Sequence, residues 1–318
     1  MAERERLVIG TRGSKLALWQ SEYIKGRIEE ITGVLVELKI IKTTGDKILD
    51  VPLAKVGGKG LFTKEIEVEL ADGTVDLAVH SMKDVPTELP EGLAVLATPE
   101  RVDPRDVIVS GAGYDLTTLP QGAKLGTSSL RRRAQVVHVR PDLEIVDVRG
   151  NLDTRMRKAE DGELDAVILA AAGIKRLGWA DRITNFIPTS QMVSAVGQGA
   201  IGVEIREHDD FMLHVCEALS HAETFEAVTA ERVVMRRLEG GCQVPIGAYA
   251  RREDGVLVMD AMVGSVDGVR IVRERLTDDG AGAEALGEAM VARLLELGAG
   301  AILDEIRCAE DVDDLLKS

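Results

Sequence analysis

Arginines are the residues in this chain whose types and spacing point most directly to chemistry. Between Leu125 and Lys158 the chain reads LGTSSLRRRAQVVHVRPDLEIVDVRGNLDTRMRK. The stretch holds eight basic residues (Arg131, Arg132, Arg133, Arg140, Arg149, Arg155, Arg157, Lys158) and four acidic ones, a net +4. The formal net charge of the whole chain is −15, so the remainder carries −19. An acidic protein that gathers guanidinium groups in one place is expected to hold an anion there. Arginine's planar fork grips carboxylate or phosphate through two parallel N–H bonds. The competing reading is a solvated helix face with surface ion pairs, and three details weigh against it. Gly126-Thr127-Ser128-Ser129 separates a short apolar stretch from a helical pattern, which leaves helix N-terminal N–H groups free to point at an anion. Arg131 and Arg132 fall in the first helical turn, where a cation opposes the helix dipole unless an anion sits there too. Val146 to Asn151 repeats the device, as a strand running through Arg149 into a new helix that carries Arg155.

Such residues need a scaffold that ends its strands along one edge. Residues 6–11 read as a strand, Arg12-Gly13-Ser14 as a turn, and 15–31 as a helix with apolar positions at Leu16, Trp19, Tyr23, Ile24, Ile28 and Ile31. Strands follow at 36–42 and 76–80, the second running into the loop Ser81–Pro86 with Lys83 and Asp84 side by side. Another strand is read at 93–98, then a crossover at Thr98–Arg101. A second strand–helix series fills 105–195. In it the apolar strand Asp165–Ala171 turns through Ala172-Gly173 into a helix carrying Arg176. Gly197-Gln198-Gly199 returns the chain to a strand at 200–205. The fold class is therefore α/β, with arginine-bearing turns lining one side of a cleft at the carboxyl ends of parallel strands. After two helical segments over 209–239 the composition shifts. Strands at 246–251, 256–264 and 268–276, an Asp267-Gly268 hairpin signal and a helix at 282–298 make a small α+β unit. Residues 43–60 (TTGDKILDVPLAKVGGKG) lack periodicity and carry Lys47, Lys55 and Lys59, which reads as a mobile lid or, alternatively, a plain disordered loop.

Composition narrows the function. Of 318 residues, 45% are hydrophobic but only 3% aromatic, so the cores are built from Leu, Val, Ile and Ala. A chain of pI about 4.9 with so few stacking side chains is a poor nucleic-acid partner. No apolar run is long enough to span a membrane, and the charged start MAERERLVIG leads straight into a strand, so a cytoplasmic protein is expected. There is no metal-ligand pattern, no Walker phosphate loop and no GxGxxG after a strand. The three cysteines are widely spaced. Cys216 and Cys308 are expected in apolar settings, whereas Cys242 lies in the loop Gly240-Gly241-Cys242-Gln243-Val244-Pro245, where a reactive or modified thiol is expected.

The blocks GTRGSKLALWQ, KTTGD, GGKGLFTKEIE, DLAVHSMKDVP, LGTSSLRRRAQ, VRGNLDTRMRK, GQGAIGVE and LEGGCQVPIGA, in this order between residues 8 and about 250, resemble the porphobilinogen deaminase (hydroxymethylbilane synthase) family. One departure is Ser194, where the family commonly has proline. The resemblance implies two α/β lobes similar to periplasmic binding proteins and a small C-terminal α+β domain. The expected domains are 1–100 plus 199–220, 101–198 and 221–318. It also implies a dipyrromethane cofactor joined by a thioether to Cys242. The enzyme would extend that primer by four porphobilinogen units, losing ammonia each time, and hydrolyse off the linear tetrapyrrole. Asp84 matches the family's carboxylate near the pyrrole nitrogens, with Lys83 beside it. Arg131, Arg132, Arg155, Thr127 and Ser129 match cofactor contacts, together with Lys83 and Asp84. Arg12, Ser14, Arg149, Arg176, Gln198 and Lys59 match substrate contacts. A monomer acting on a small molecule is expected. The alternatives are a non-catalytic two-lobed binding protein for acidic ligands and, more weakly, a phosphate-using transferase.

Overall fold

The computed structural model describes residues 4–47, 60–239 and 244–309. These fall into two compact units, one of residues 4–47, 60–102 and 199–226, the other of 103–198, 227–239 and 244–309. The first unit begins with β1 (Arg6–Thr11), α1 (Lys15–Thr32), β2 (Leu35–Ile40), the single turn α2 (Thr44–Lys47), α3 (Lys64–Ala71), β3 (Leu77–Ser81) and β4 (Leu93–Ala97). The second opens with β5 (Asp106–Val109), β6 (Lys124–Gly126), α4 (Leu130–Val139), β7 (Glu144–Val146) and α5 (Leu152–Glu160). It continues through β8 (Ala166–Ala170), α6 (Ala171–Arg176) and β9 (Asn185–Ile187). The chain then makes β10 (Ile201–Arg206), α7 (Asp210–Leu219) and α8 (Ala222–Arg237). It ends in β11 (Ile246–Glu253), β12 (Val256–Gly264), β13 (Ile271–Thr277), α9 (Ala283–Glu296) and α10 (Ala299–Cys308).

The first sheet has the order β2-β1-β3-β10-β4 and the second β7-β6-β8-β5-β9. In each, three strands run parallel, and the fourth runs against both of its neighbours. The fourth strand comes from the opposite side of the chain in the two cases: β10 follows the second sheet's strands, and β5 precedes them. This pairing makes both sheets mixed. The sequence pattern located 200–205 without giving its direction, and it did not single out the short β5 and β9.

Helices on both faces explain why these strands are almost continuously apolar. On one face of the first sheet, Leu7, Ile9, Leu77, Val79, Val203 and Ile205 pack with Ile24 and Ile28 of α1 and with Met212, Val215 and Cys216 of α7. On the other, Ile66 and Leu70 of α3 meet Val75, Ala78 and Leu93. Each such side chain contributes about 1.5–3 kcal/mol by leaving water. Cys216 is thus the small core hydrophobe that was expected, and burial, with Asp209 nearby, pushes its thiol up to about 12.

The three-stranded sheet β11-β12-β13 forms the C-terminal part. Leu286, Met290 and Leu294 of α9 pack onto its Ala248, Leu257, Met259 and Ala261, and Leu130 of α4 and Val196 join the same core. The helix expected over 282–298 stops at Glu296. Gly298 adopts φ 98°, which bends the chain into α10, a helix the sequence reading did not separate. The inward stripe of α10 is Ile302, Leu303 and Ile306. At 100° per residue Cys308 falls on the opposite face, so it is exposed, not in the apolar setting expected. β13 begins three residues later than expected because Ser265, Asp267 and Gly268 close a tight turn first, with Ser265 N–H donating to the Arg270 carbonyl at 2.8 Å.

Candidate active site

In the first unit, the turns after β1, β2 and β3 bring candidate residues to the carboxyl ends of its parallel strands. Ser14 caps α1, accepting from Ala17 N–H at 3.2 Å, which fixes the turn that carries Arg12. The Arg12 guanidinium donates from Nε to both oxygens of Asp46 (3.1 and 3.3 Å) and from Nη2 to Oδ1. It also lies over the Phe62 ring, 4.1 Å from its centroid. Burial pushes the Asp46 carboxyl upward, but the hydrogen bonds from Arg12 and Thr43 outweigh it and hold the group below its ordinary range.

β3 leads into a single 3₁₀ turn, Met82–Asp84. Met82 and Val85 are each only 2% exposed. Met82 N–H donates to the Ala200 carbonyl, and Val85 N–H closes the turn onto Met82. Two buried anchors three residues apart lift the residues between them outward, so Lys83 and Asp84 form an exposed apex. Beneath it, buried in the sheet, His80 Nε2 meets Glu204 Oε2 at 2.9 Å. Glu67 of α3 adds a second buried carboxyl; burial, with Glu204 nearby, raises its pKa despite the opposing pull of Thr63 and His80.

The second unit gathers its own set. Gly126 ends β6 where an added Cβ would lie 2.4 Å from Val148 and 2.7 Å from Leu164, so only glycine lets the strand approach this closely. The Ser128 hydroxyl donates to the Val148 carbonyl (2.8 Å) and accepts from the Val148 N–H (2.9 Å), stitching the β6–α4 turn to the β7–α5 turn. Thr127 is buried, and its hydroxyl accepts from Ser129 N–H; Ser129 caps α4 through Arg132 N–H. Asn151 caps α5, and Arg155, half-buried, donates from Nε to the Gly150 carbonyl at 2.9 Å. Arg149 is half-buried in the turn, and Arg176 is buried in the last turn of α6.

Arg131 and Arg132 are buried, and the anion that offsets their charge at the positive end of the helix belongs to the chain itself. Asp106, fully buried at the start of β5, accepts from Arg131 Nη1 (2.7 Å) and Nη2 (3.2 Å) and from Arg132 Nε (2.9 Å). Arg131 also reaches the Val193 carbonyl and Arg132 the Ile168 carbonyl. Gln198 is likewise buried, its amide donating to Asp106 Oδ1 (3.0 Å) and the Pro104 carbonyl (2.6 Å). Burial would raise the Asp106 carboxyl, but the charges of Arg131 and Arg132 and the bonds from Arg131 and Gln198 hold it far below the usual carboxylate range. The Arg131 Nε is buried with no hydrogen-bond partner among the described residues. Ser194, standing where proline is common, donates its hydroxyl to the Pro104 carbonyl at 2.8 Å and ties this crossover with one hydrogen bond.

Within each unit, therefore, the structure brings the expected residues to one sheet edge: Arg12, Ser14, Lys83 and Asp84 in the first, Thr127, Ser129, Arg131, Arg132, Arg149, Arg155, Arg176 and Gln198 in the second. Cys242, Lys59 and most of the 43–60 stretch lie outside the described residues. Sequence reasoning missed Asp106, Asp46 and Ser128. The signal for Asp106 was an acid opening an apolar strand, DVIV, a position that demands a cationic partner once buried.

Comparison with known proteins identifies the family. Residues 7–214 match the family model described as porphobilinogen deaminase, dipyromethane cofactor binding domain, and residues 225–296 match the model of its C-terminal domain. The porphobilinogen deaminase of Syntrophobacter fumaroxidans is 52% identical over 299 residues, 94% of this chain and 97% of that one. That of Geobacter metallireducens is 51% identical over 303 residues, 95% of both chains. Among solved structures, a periplasmic substrate-binding protein of an ABC transporter from Coxiella burnetii covers 71% of this chain and 96% of its own, at 14% identity and a TM-score of 0.42. The chain belongs to the porphobilinogen deaminase family, the dipyrromethane-bearing transferases that build hydroxymethylbilane from four porphobilinogens.

Proposed function

We propose that Asp84 does the electrostatic work of the reaction and that the arginine-bearing turns of each unit hold the carboxylates of the reacting molecules. Porphobilinogen carries an acetate and a propionate, so substrate and growing chain are polyanions. Loss of ammonia from the aminomethyl arm leaves positive charge spread over a pyrrole. A carboxylate at the Asp84 apex can accept a hydrogen bond from the pyrrole N–H and offset that charge. It can then take up the proton shed when the new carbon–carbon bond has formed. Lys83 beside it is an anion contact.

In this reading Arg12, Ser14, Arg149, Arg176, Gln198 and Lys59 serve the substrate's acid groups. Arg131, Arg132, Arg155, Thr127 and Ser129 serve the cofactor, with Lys83 and Asp84. The residues present fit a carboxylate-bearing cofactor. Two buried guanidiniums face one buried carboxylate at the positive end of α4, and the buried Arg131 Nε has no partner among the described residues. The dipyrromethane, which we place on Cys242 by a thioether, supplies the pyrrole end that is extended. We read the three sheets as three domains, bounded near residues 100, 198 and 220. A monomeric cytoplasmic enzyme without nucleic-acid or membrane partners is the setting we propose; among the described residues no helix is long and apolar enough to cross a membrane.

The observation that carries the proposal is the exposed carboxylate of Asp84, lifted between the two buried anchors Met82 and Val85. Asp84→Asn keeps the size and removes the charge. Steady-state kinetics on the folded variant should show kcat reduced on the order of a hundredfold or more with a small change in KM. Near-normal kcat would leave Asp84 a structural residue. A melt should show little change, because Asp84 is exposed, and a surface carboxylate contributes at most about 0–1 kcal/mol through ion pairing.

A further inference from the structure

We propose that Asp46 is a built-in counter-carboxylate on Arg12, which the substrate's own acid group must displace or share, so that Asp46 weakens the hold of Arg12 on substrate. The inference rests on the reading above that Arg12 binds a substrate carboxylate.

The geometry is that of a guanidinium already serving a carboxylate. Asp46 takes the Nε and Nη2 side of the fork, and Phe62 covers one face. Among the described residues, none takes the Nη1 end or the other face. The pair is not sealed into the core, since the side chains are 22% and 29% exposed, so an anion from solvent can reach it. Asp46 is itself held in place by its neighbours. Thr43 donates to its Oδ2 from N–H (3.3 Å) and hydroxyl (2.8 Å). The turn around it is tied down, with Gly45 N–H on the Leu61 carbonyl (2.8 Å) and Thr44 N–H on Glu65 (2.9 Å).

An anion arriving at Arg12 therefore meets a cation whose charge is already offset, in one of two ways. If it displaces Asp46, it must break a chelated pair. If it binds the Nη1 end with Asp46 in place, two carboxylates share one guanidinium. Both routes lower affinity relative to a free arginine. For an enzyme that adds one unit after another, a clamp with a resident competitor has a use. Each carboxylate that has been held must be let go before the next unit can take its place. Binding the ground state more tightly than needed would not speed the chemical step.

The test uses holoenzyme variants and a ligand that cannot react: a pyrrole with the acetate and propionate arms but no aminomethyl group. Its Kd is measured by calorimetry, beside the KM for porphobilinogen. Asp46→Asn keeps a carbonyl oxygen for the Thr43 N–H and removes the charge; Asp46→Ser is the second variant if the amide does not fit the turn, and a melt checks folding. The expected result is a Kd lowered on the order of two- to fivefold, the strength of a partly exposed ion pair. Arg12→Gln should raise Kd, and Arg12→Gln combined with Asp46→Asn should match Arg12→Gln alone, because Asp46 acts only through Arg12. A Kd that is unchanged or raised in Asp46→Asn, with Arg12→Gln still raising it, overturns the proposal and makes Asp46 a residue that orients Arg12. A Kd unmoved by Arg12→Gln instead removes the substrate role of Arg12, and this proposal with it.

Discussion

Arg12 and the pair Arg131–Arg132 occupy equivalent places, each on the turn or first helical turn that follows a parallel strand, yet they are held differently. Arg131 and Arg132 are buried, and their guanidiniums are shared among Asp106 and the carbonyls of Val193 and Ile168. Arg12 is partly exposed and leans on one carboxylate and one ring. The first arrangement is part of the fold, because removing its anion leaves two cations in a medium that cannot solvate them. The second contributes much less to the fold, because a partly exposed ion pair adds little to stability. Arginines picked out by the same sequence pattern thus differ in setting, some tied into the core by a buried carboxylate and others paired with a partly exposed one.

The sharpest way to break this contrast is to remove each carboxylate in turn. Asp106→Asn should destabilise the protein by about 3–5 kcal/mol, the usual penalty for orphaning a buried charge. Asp46→Asn should cost less than about 1 kcal/mol. Chemical denaturation of both variants measures this, and equal losses would erase the distinction.

Acid provides a second, smaller effect. Asp106 has a folded pKa held far below its ordinary value, so the stability it contributes is present above the unfolded pKa near 3.8 and fades as pH falls towards the folded value. The gap in stability between the protein and Asp106→Asn should therefore narrow on acidification from pH 5 towards pH 2. Glu67 has the opposite sign. Its folded pKa is raised by burial and by Glu204, so it favours folding only below the unfolded pKa near 4.5 and opposes it once pH rises through the folded value. Glu67→Gln should accordingly raise the melting temperature at pH 7 to 8 and give no gain near pH 4. A lower melting temperature at pH 7 would show that the carboxylate stabilises the His80–Glu204 pair.

The smallest effect carries the buried-against-exposed comparison over to thiols and leaves stability untouched. At neutral pH an alkylating reagent should modify exposed Cys308 and leave Cys216, whose thiol is pushed up to about 12. Peptide mass mapping of the native enzyme should place a two-pyrrole adduct on the Cys242 peptide alone. A free Cys242 thiol in active enzyme would contradict its proposed role.

Much of the site was legible because its residues follow short-range rules. Strand, small-residue turn and helix cap recur at Arg12–Ser14, Gly126–Arg132 and Arg149–Arg155, and each pattern spans fewer than ten residues. What stayed hidden depends on pairing across the chain. Asp106 lies 25 residues before Arg131 and meets it only because β5 runs antiparallel beside β8. The Asp46–Arg12 pair bridges 34 residues. The break at Gly298 was obscured because apolar periodicity continues on both sides of it. Cys308 was misplaced because its position on the face of α10 depends on where that helix begins.

The late position of β10 in the chain constrains the order in which the first sheet can fold as it is made. β4 is an edge strand whose neighbour in the sheet is β10, and about 100 residues separate Ala97 from Ile201. At ordinary rates of synthesis, on the order of 5–20 residues per second, β4 waits several seconds or more after leaving the ribosome before its partner exists. During that time the nascent first sheet can contain only β2, β1 and β3, and the LAVLA segment of β4 has no ladder to join. The second sheet is under no such constraint, because β5 through β9 emerge together. Of these two sheets the later-begun one can therefore close first, and the one begun at the N-terminus is finished after it.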